Sequence, residues 1–343
     1  MAPIVRFNRM LKDRLFWGRK TDSFTLQWHL TNDCPFHCRH CYDRSERSPL
    51  GLADALKVLA DFQNFCARQR VAGHISLSGG DPLWYPDFWG LYQAIAEAWI
   101  PMSILGNPIS RAEVGRLIEI QMPVYYQVSL EGLPEYNDRI RGRGHFDQVI
   151  QFLAVAKEQG LRTHVMLTLH DGNRDQVLPL GEQLRGLTHR LSFNRLAQVG
   201  EATGLTVPDK TAYAAFARQY LAARRDNPVL GLKDGLLNIP LHQRGRRLFG
   251  GCTGYGCGAA FNFVALLPNG EVHACRKFAS LLGRAGVESL DTIYHSRVAK
   301  QYRHGSEACG RCRLRQVCGG CMAVVHGQGG EVFVDRDPQC FKE

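Results

Sequence analysis

The chain has 343 residues, 45% of them hydrophobic, and a formal net charge of +10. This length suits one large core with an appended module, because single hydrophobic cores stop growing at about 250–300 residues. No basic block with interleaved aromatic residues is present, so nucleic-acid binding is not expected. No apolar run approaches the roughly 18 residues that cross a bilayer, and no signal-peptide pattern is visible, so we expect a soluble, cytoplasmic protein with no membrane partner.

Residues 1–23 are predicted to form an N-terminal extension. Its basic stretch from Arg9 to Lys20 is typical of a solvated helix face, the alternative being a segment that lies on a membrane or an acidic peptide.

From residue 24 to residue 227, short apolar runs alternate with helical patterns, which indicates βα units and a parallel sheet. We expect strands at 24–30, 74–77, 102–105, 124–130, 163–168 and 190–194. We expect helices at 52–69, 86–98, 111–118, 146–159, 174–187 and 209–224. Six such units predict an α/β fold, a partial (β/α)6 barrel of the TIM type that is open on one side.

Three cysteines, Cys34, Cys38 and Cys41, follow the first predicted strand with the spacing CxxxCxxC. Barrel active sites are built in the loops at this end of the strands. Three thiolates can hold three irons of a cubane cluster and leave the fourth iron free for a substrate or cofactor. The alternative is a zinc site completed by His37 or His40. Either way, the motif predicts a metal centre at the barrel mouth.

A glycine-rich turn, Gly79-Gly80-Asp81-Pro82, ends the second predicted strand. Glycines let a ligand approach the backbone closely, and an acidic group accepts a hydrogen bond from an ammonium. Alone, this tetrapeptide is typical of an ordinary turn. One helix after CxxxCxxC, it indicates a cofactor site.

Together the two motifs resemble those of the radical S-adenosylmethionine (radical SAM) superfamily, whose members combine CxxxCxxC with GGEP. Asp81 stands where glutamate is usual, and His40 where most members have an aromatic residue. The resemblance implies that S-adenosylmethionine binds the open iron and is split by one-electron reduction, giving a 5′-deoxyadenosyl radical. It also implies that Gly79, Gly80, Asp81 and Pro82 bind the cofactor's amino group.

Weaker similarities continue along the barrel. Ser129 and Glu131 lie in a stretch similar to the family's S-(I/L)-D-G element, which implies cofactor contact for Ser129 and a substrate-facing position for Glu131. Arg141 lies in a stretch typical of peptide-modifying members, which implies an approach to the cofactor carboxylate. The catalytic residues are unknown, with Glu131 and Arg195 as candidates. Three polar residues at strand ends are further candidates to line the site, ordinary strand termini being the alternative: Asn107, Thr168 and Arg195.

After residue 227 the pattern changes. Residues 228–249 are expected to be a loop or a bridging helix, and residues 250–343 a small cysteine-rich domain that is held by its thiols. Eight cysteines there make two complete four-cysteine sites. They resemble the twin-cluster form of the SPASM domain of radical enzymes, although two residues separate Cys318 from Cys321 where three are usual; zinc ribbons are the alternative. The resemblance implies auxiliary cluster I at Cys252, Cys257, Cys275 and Cys321, and auxiliary cluster II at Cys309, Cys312, Cys318 and Cys340.

The resemblance implies three 4Fe-4S clusters and S-adenosylmethionine as cofactors, and a reductant such as flavodoxin or ferredoxin. It favours a peptide substrate with a leader sequence, matured by a thioether or carbon-carbon crosslink. Only 33 residues precede Cys34, so a separate leader-binding protein or direct docking on the barrel mouth is expected.

Anaerobic sulfatase maturases place an aspartate base directly after the cysteine that aligns with Cys275. Arg276 stands there, and it cannot accept a proton at neutral pH, so formylglycine formation is less favoured.

Other functions remain open alternatives. A peptide epimerase would need a thiol to return a hydrogen atom, and Cys66 is the one cysteine outside the three sets. Cys66 lies in a helical pattern and is expected to be a buried apolar residue. Enzymes that modify cofactors or tetrapyrroles are a further alternative. Outside enzymes, zinc-binding and electron-transfer proteins remain.

Overall fold

The computed structural model describes residues 21–342. The basic stretch from Arg9 to Lys20, and most of the predicted extension, lie outside the described residues. One nine-stranded sheet organises this part of the chain, in the order β6-β5-β4-β3-β2-β1-β7-β8-β9. Its strands are β1 (Ser23–His29), β2 (Ala72–Ser78), β3 (Met102–Leu105), β4 (Tyr126–Ser129), β5 (Thr163–Leu169), β6 (Arg190–Arg195), β7 (Phe263–Leu266), β8 (Glu271–His273) and β9 (Leu281–Arg284).

The helices of the barrel region follow its strands in turn, with a second group near the C-terminus. They are α1 (Leu52–Gln69), α2 (Phe88–Glu97), α3 (Arg111–Ile120), α4 (Pro134–Arg141), α5 (His145–Glu158), α6 (Val177–Gln183), α7 (Lys210–Ala223), α8 (Asn238–Gln243), α9 (Leu290–His295), α10 (Arg297–His304) and α11 (Met322–Gly327). Strands β1 to β6 pair in parallel throughout, which confirms the predicted open barrel. No helix among the described residues is long and apolar enough to cross a membrane.

All six predicted barrel strands and all six predicted helices are present, with their ends shifted by a few residues. Helix α4 is an addition that the sequence pattern does not predict. Its eight residues are mostly polar, and only Asn137 and Ile140 are buried, so no apolar stripe marks it. Cys66 is buried on the apolar face of α1, as predicted.

The sheet continues past the predicted end of the barrel. Strand β7 lies beside β1 in parallel, and β8 and β9 follow it as antiparallel strands. The C-terminal region thus extends the barrel's own sheet on the β1 side. The predicted bridging segment contains α8. The domain boundaries at 227 and 249 stay a prediction.

Alternation along the strands separates a helix-facing side from the inside of the barrel. On β1, the buried Phe24, Leu26 and Trp28 belong to the hydrophobic core, while Thr25 and Gln27 line an internal cavity. The other strands follow the same rule, because successive side chains of a strand point to opposite faces. Polar lumen residues on them include His74, Ser76, Gln127 and Asn194.

Burial keeps His74 and His164, which lie on barrel strands, in their neutral form. Burial lowers the pKa of His74 to about 4, and burial followed by nearby cations lowers the pKa of His164 to about 3. The His164 ring stacks on Tyr125 with centroids 4.3 Å apart. His74 Nε2 lies 3.0 Å from Ser103 Oγ. The charged groups acting on His164 are Arg162, His189, Arg190 and Lys233.

Acid is therefore expected to destabilise the fold through His164. The unfolded chain takes up the proton near the ordinary pKa of 6.5, before the folded chain does, so stability falls as pH drops from there towards about 3. His164→Phe keeps a stacking ring but removes the titration. Its thermal midpoint should fall less than that of the wild type between about pH 7.5 and pH 5.5, with both proteins in the same cluster-loaded state. Equal losses in the two proteins would contradict this.

Candidate active site and cysteine clusters

The first cysteine set lies in the loop after β1, at the C-terminal edge of the parallel strands. Cys34, Cys38 and Cys41 line one cavity of about 190 Å³. Burial above all, with a contribution from the Cys38 charge, raises the pKa of Cys34 and Cys41. Asn107 Nδ2 lies 3.7 Å from Cys34 Sγ, and Arg141 Nη1 lies 3.7 Å from Cys38 Sγ. The structure thus brings three thiols to one cavity, with nitrogen donors aimed at two of the sulfurs, an arrangement that suits metal-bound thiolates.

The glycine turn after β2 packs against the backbone of this cysteine loop. Gly80 N donates a hydrogen bond of 2.8 Å to Thr31 O. A Cβ on Gly80 would lie 2.4 Å from the carbonyl oxygens of Asn32 and Asp33. Such contacts leave no room for a side chain. The absence of side chains at the two glycines therefore lets the cysteine loop pack directly against them, a contact that the sequence does not reveal. Gly79 and Gly80 also line the cavity.

The Asp81 side chain is buried and both of its oxygens are engaged. Oδ1 accepts from Leu83 N at 3.2 Å, which caps a short turn that begins at Pro82, and Oδ2 accepts from Asn107 Nδ2 at 3.0 Å. Burial raises the Asp81 pKa, and the Asn107 hydrogen bond opposes this. The resemblance implies a contact between Asp81 and an ammonium. The structure shows Asp81 positioning Asn107, which itself lines the cavity.

Glu131 is fully buried behind the cavity wall and is held by three groups. Its Oε1 accepts from Arg141 Nε at 2.9 Å, and its Oε2 accepts from Thr168 N at 2.8 Å. His40 Nε2 lies 2.9 Å from Oε1, although off the direction of a hydrogen bond. Burial alone would raise the Glu131 pKa, but His40 and Arg141 outweigh it and hold that pKa well below its usual range.

These contacts are those of a positioning residue. Glu131 fixes Arg141 and the backbone at Thr168, so its charge is already compensated, and a substrate-facing or catalytic role for it stays a prediction. The predicted cofactor residues that line the 190 Å³ cavity are Gly79, Gly80, Ser129, Arg141 and Thr168.

A second cavity of about 290 Å³ adjoins the first and receives the second cysteine set. Burial, followed by the charges of the other three thiols, raises the pKa of Cys257. Burial raises the pKa of Cys321 to about 11. Cys321 therefore lies with this set in spite of its unusual spacing. The four thiols that the resemblance assigns together all line this cavity: Cys252, Cys257, Cys275 and Cys321.

The third cysteine set lines a smaller pocket beside the 290 Å³ cavity. One of its members, Cys318, lines both of them. Burial, then Cys312 and Cys340, raises the pKa of Cys309. Lys342 Nζ lies 3.5 Å from Cys312 Sγ. The members of this set line one small pocket: Cys309, Cys312, Cys318 and Cys340. In the part of the chain that the structure describes, no three His, Cys, Asp or Glu side chains are gathered closely enough for a single metal ion.

Arg195 does not have a free guanidinium. Its Nε donates to Asp234 Oδ2 at 2.7 Å, and its Nη1 and Nη2 donate to Asp337 at 2.8 and 2.6 Å. Gln339 Oε1 accepts a further hydrogen bond of 2.8 Å. These bonds join β6 to the bridging segment and the C-terminus. A catalytic role for Arg195 stays a prediction. Its observed contacts are structural, and we call this set of hydrogen bonds from Arg195 to Asp234, Asp337 and Gln339 the Arg195 latch.

The cavity of the first cysteine set and the cavity of the second share part of their lining, which we call the shared wall, and sequence patterns do not predict it. Arg276 Nη1 donates to Ser78 Oγ at 3.1 Å, and its guanidinium lies 5.7 Å from the centre of the Tyr42 ring. Arg276 thus links Cys275 to residues beside both barrel motifs. The residues that line both cavities are Leu105, Gln127, Met166, Asn194, Arg276 and Lys277.

An open parallel barrel with three cysteine sets around adjoining cavities is the framework of an iron-sulfur enzyme. Residues 28–183 match the radical SAM superfamily, and residues 257–322 match SPASM, an iron-sulfur cluster-binding domain. The chain contains a radical SAM domain and a SPASM domain. Its cofactors are S-adenosylmethionine and 4Fe-4S clusters.

Relatives extend over most of the chain. The mycofactocin maturase MftC of Mycobacterium tuberculosis is 28% identical over 338 residues, which cover 92% of this chain and 82% of MftC. The subtilosin biosynthesis protein AlbA of Bacillus subtilis is 24% identical, with 86% of this chain and 66% of AlbA covered. The structure of Streptococcus suis SuiB bound to S-adenosylmethionine superimposes with a TM-score of 0.71 at 19% identity, covering 93% of this chain and 77% of SuiB, and shows the same fold.

Gly80→Ala is expected to displace the cysteine loop, because the added Cβ would meet backbone atoms that cannot turn aside. Iron content should fall by about four of about twelve atoms, with loss of S-adenosylmethionine cleavage. Gly115→Ala is the matched control, since its Cβ would meet only Gln159 Oε1 at 3.7 Å inside α3. Full iron content and full cleavage activity in Gly80→Ala would contradict the conclusion that the cysteine loop needs a glycine at position 80 to pack against.

Proposed function

We propose that this enzyme matures a ribosomally synthesised peptide, forming a thioether or carbon-carbon crosslink. The observation that carries the proposal is the shared wall: the cavity with the first cysteine set and the cavity with the second adjoin across six residues. A peptide side chain at this wall would face both sites. The names of the relatives support a peptide substrate, since MftC is a maturase, AlbA serves bacteriocin synthesis, and SuiB has been solved with its precursor peptide SuiA.

Three 4Fe-4S clusters are proposed, one for each cysteine set. The members of each set line one cavity, and binding of a metal would release their protons and hold them as thiolates. The radical SAM cluster would be held by Cys34, Cys38 and Cys41. Auxiliary cluster I would be held by Cys252, Cys257, Cys275 and Cys321, and auxiliary cluster II by Cys309, Cys312, Cys318 and Cys340.

When bound, the first cluster and S-adenosylmethionine supply a 5′-deoxyadenosyl radical. The protein's contribution is to orient and enclose them. Glu131 outweighs burial and raises the Arg141 pKa, so Arg141 offers a fixed positive charge to a carboxylate. Ser129 and Thr168, at the ends of neighbouring strands, offer hydroxyl groups to the same cavity. Arg276 stands where a formylglycine-forming enzyme would need a base, and it holds its proton.

The partners of this reaction follow from the same proposal. A flavodoxin or ferredoxin would supply electrons to the first cluster. The peptide's leader would bind a separate leader-binding protein or dock directly at the barrel mouth.

Anaerobic reconstitution tests the proposal. We expect about twelve irons per chain, release of 5′-deoxyadenosine with dithionite, and loss of two hydrogen atoms from a co-expressed precursor peptide by mass spectrometry. Zinc without iron would point to a zinc-binding protein, and iron without cleavage to an electron carrier; either would overturn the proposal. Cleavage with a tetrapyrrole but no peptide modified would overturn the assignment of the substrate.

A further inference from the structure

Besides Arg195, which is paired with Asp234 and Asp337, three cations line the 290 Å³ cavity between the cysteine sets. They are the half-buried Lys233, Arg276 and Lys277. Arg276 and Lys277 also belong to the shared wall, so they face the first cavity as well. Lys233 acts electrostatically on His164 of the barrel. The cations therefore line the cavity from the shared wall towards the inside of the barrel.

These cations have no carboxylate partner among residues 21–342. Arg276 contacts the neutral groups of Ser78 and Tyr42, and the side chains of Lys233 and Lys277 form no hydrogen bond or ion pair in that range. The one carboxylate that lines the cavity is Asp234, which is already paired with Arg195 and accepts a hydrogen bond of 3.0 Å from Tyr213.

Uncompensated positive charge in a cavity of this kind favours an anionic occupant, because desolvated charges are stable only when paired. A thiolate-bound cluster would offset part of the charge, since Lys277 acts on Cys275 and Cys321, and Arg276 acts on Cys275. Lys233 acts on His164 inside the barrel, and Arg276 also contacts Ser78 and Tyr42 beside the barrel motifs. Cluster charge thus accounts for Lys277, and for part of the charge of Arg276, more directly than for Lys233.

We infer that this cavity binds a carboxylate of the substrate, held by Arg276 and Lys277 with Lys233 nearby. The inference rests on the proposed function, in that the carboxylate belongs to the peptide that is modified. A guanidinium can hold a carboxylate through two parallel hydrogen bonds, which fixes its orientation as well as its position. A carboxylate fixed at the shared wall places the adjoining carbon atoms at the mouth of the first cavity.

A C-terminal carboxylate and an Asp or Glu side chain present the same chemistry. Three N-acetylated pentapeptides of one alanine- and leucine-containing sequence separate them: one with a free C-terminal carboxylate, one amidated, and one amidated with a central Glu. Each is titrated calorimetrically into the reconstituted enzyme with S-adenosylmethionine bound. We expect at least one carboxylate peptide to bind about tenfold more tightly than the neutral peptide. Which one does so identifies the source.

The single variants Lys277→Gln and Lys233→Gln should each lose the preference for the carboxylate peptide over the neutral one. Their affinity for the neutral peptide should stay the same. Lys300→Gln, at an exposed position on α10, is the matched control and should retain the preference. Iron content and S-adenosylmethionine affinity are measured on every variant to show that the sites remain loaded.

Three results would overturn the inference: no preference for either carboxylate peptide in the wild type, no binding of them at all, or an undiminished preference in both lysine variants. Lower S-adenosylmethionine affinity with the preference intact would assign these cations to the cofactor instead. Release of 5′-deoxyadenosine by the same preparations reports separately on the proposed function. A failed carboxylate site is therefore distinguishable from a failed enzyme assignment.

Discussion

Replacing Cys34, Cys38 and Cys41 together by alanine is expected to abolish cleavage of S-adenosylmethionine and to leave about eight of about twelve irons. These thiols line the cavity that contains the predicted cofactor residues, and the other two sets line pockets of their own. Loss of the first cluster should therefore spare the others. Iron analysis and chromatography of 5′-deoxyadenosine after dithionite reduction provide the measurement.

Cys66→Ala is the matched control for this experiment. Cys66 belongs to none of the three sets, and burial raises its pKa to about 12, so it remains an uncharged thiol. This variant should keep all of its iron and its cleavage activity. Retained cleavage in the triple variant, or iron loss that extends to all three sets, would contradict the assignment. If the enzyme were instead a peptide epimerase that used Cys66 as a hydrogen donor, Cys66→Ala would still cleave S-adenosylmethionine but would form no product.

Much of the fold is predictable because its signals are local. Strands β1 to β6 and their helices carry clear apolar periods, and the alternation of Phe24, Leu26 and Trp28 with Thr25 and Gln27 already distinguishes the helix-facing side from the lumen. Helix α4 is not predictable in this way, because its position is set by buried polar contacts. Asn137 Oδ1 accepts a hydrogen bond from Glu131 N, and no pattern of apolar residues in the sequence predicts that contact.

Cysteine spacing predicts which thiols the structure brings together, because metal ligands come in short sequence patterns. The surroundings of those thiols depend on distant contacts. The sequence shows that Gly79 and Gly80 are glycines, but not that the cysteine loop packs against them. It shows Arg276 as a missing base, but not as part of a wall between two cavities. Lys277 and Lys233 carry no motif, and only the fold places them in the same cavity.

The contacts of Arg195 are likewise inaccessible to sequence patterns. The latch joins residues 142 positions apart, from the end of β6 to Asp337. Asp337 also accepts a hydrogen bond of 2.8 Å from Cys321 N and one of 2.9 Å from Cys340 N to its backbone oxygen. It therefore orients one thiol from each auxiliary set. The latch ties the stability of the barrel to the geometry of both cysteine pockets.

Arg195→Met is expected to destabilise the protein by about 3–5 kcal/mol, because it leaves Asp234 and Asp337 buried without their cation. The disturbance should reach Cys321 and Cys340, so iron content should fall by up to about eight atoms while the first set keeps its four. Anaerobic chemical denaturation and iron analysis measure the two effects.

Two further variants separate charge from shape at the latch. Arg195→Lys keeps the charge but loses the planar fork that reaches both carboxylates, so its loss of stability should be intermediate. Adding Asp234→Asn and Asp337→Asn to Arg195→Met removes the unpaired charges and should restore part of the lost stability. If Arg195→Met alone unfolds at the wild-type denaturant concentration with all of its iron in place, the latch does not hold the C-terminal pockets. If the triple variant is no more stable than Arg195→Met, unpaired charge is not the cause of the loss, and the shape of the guanidinium fork alone must set the register between β6 and the cysteine-rich segment.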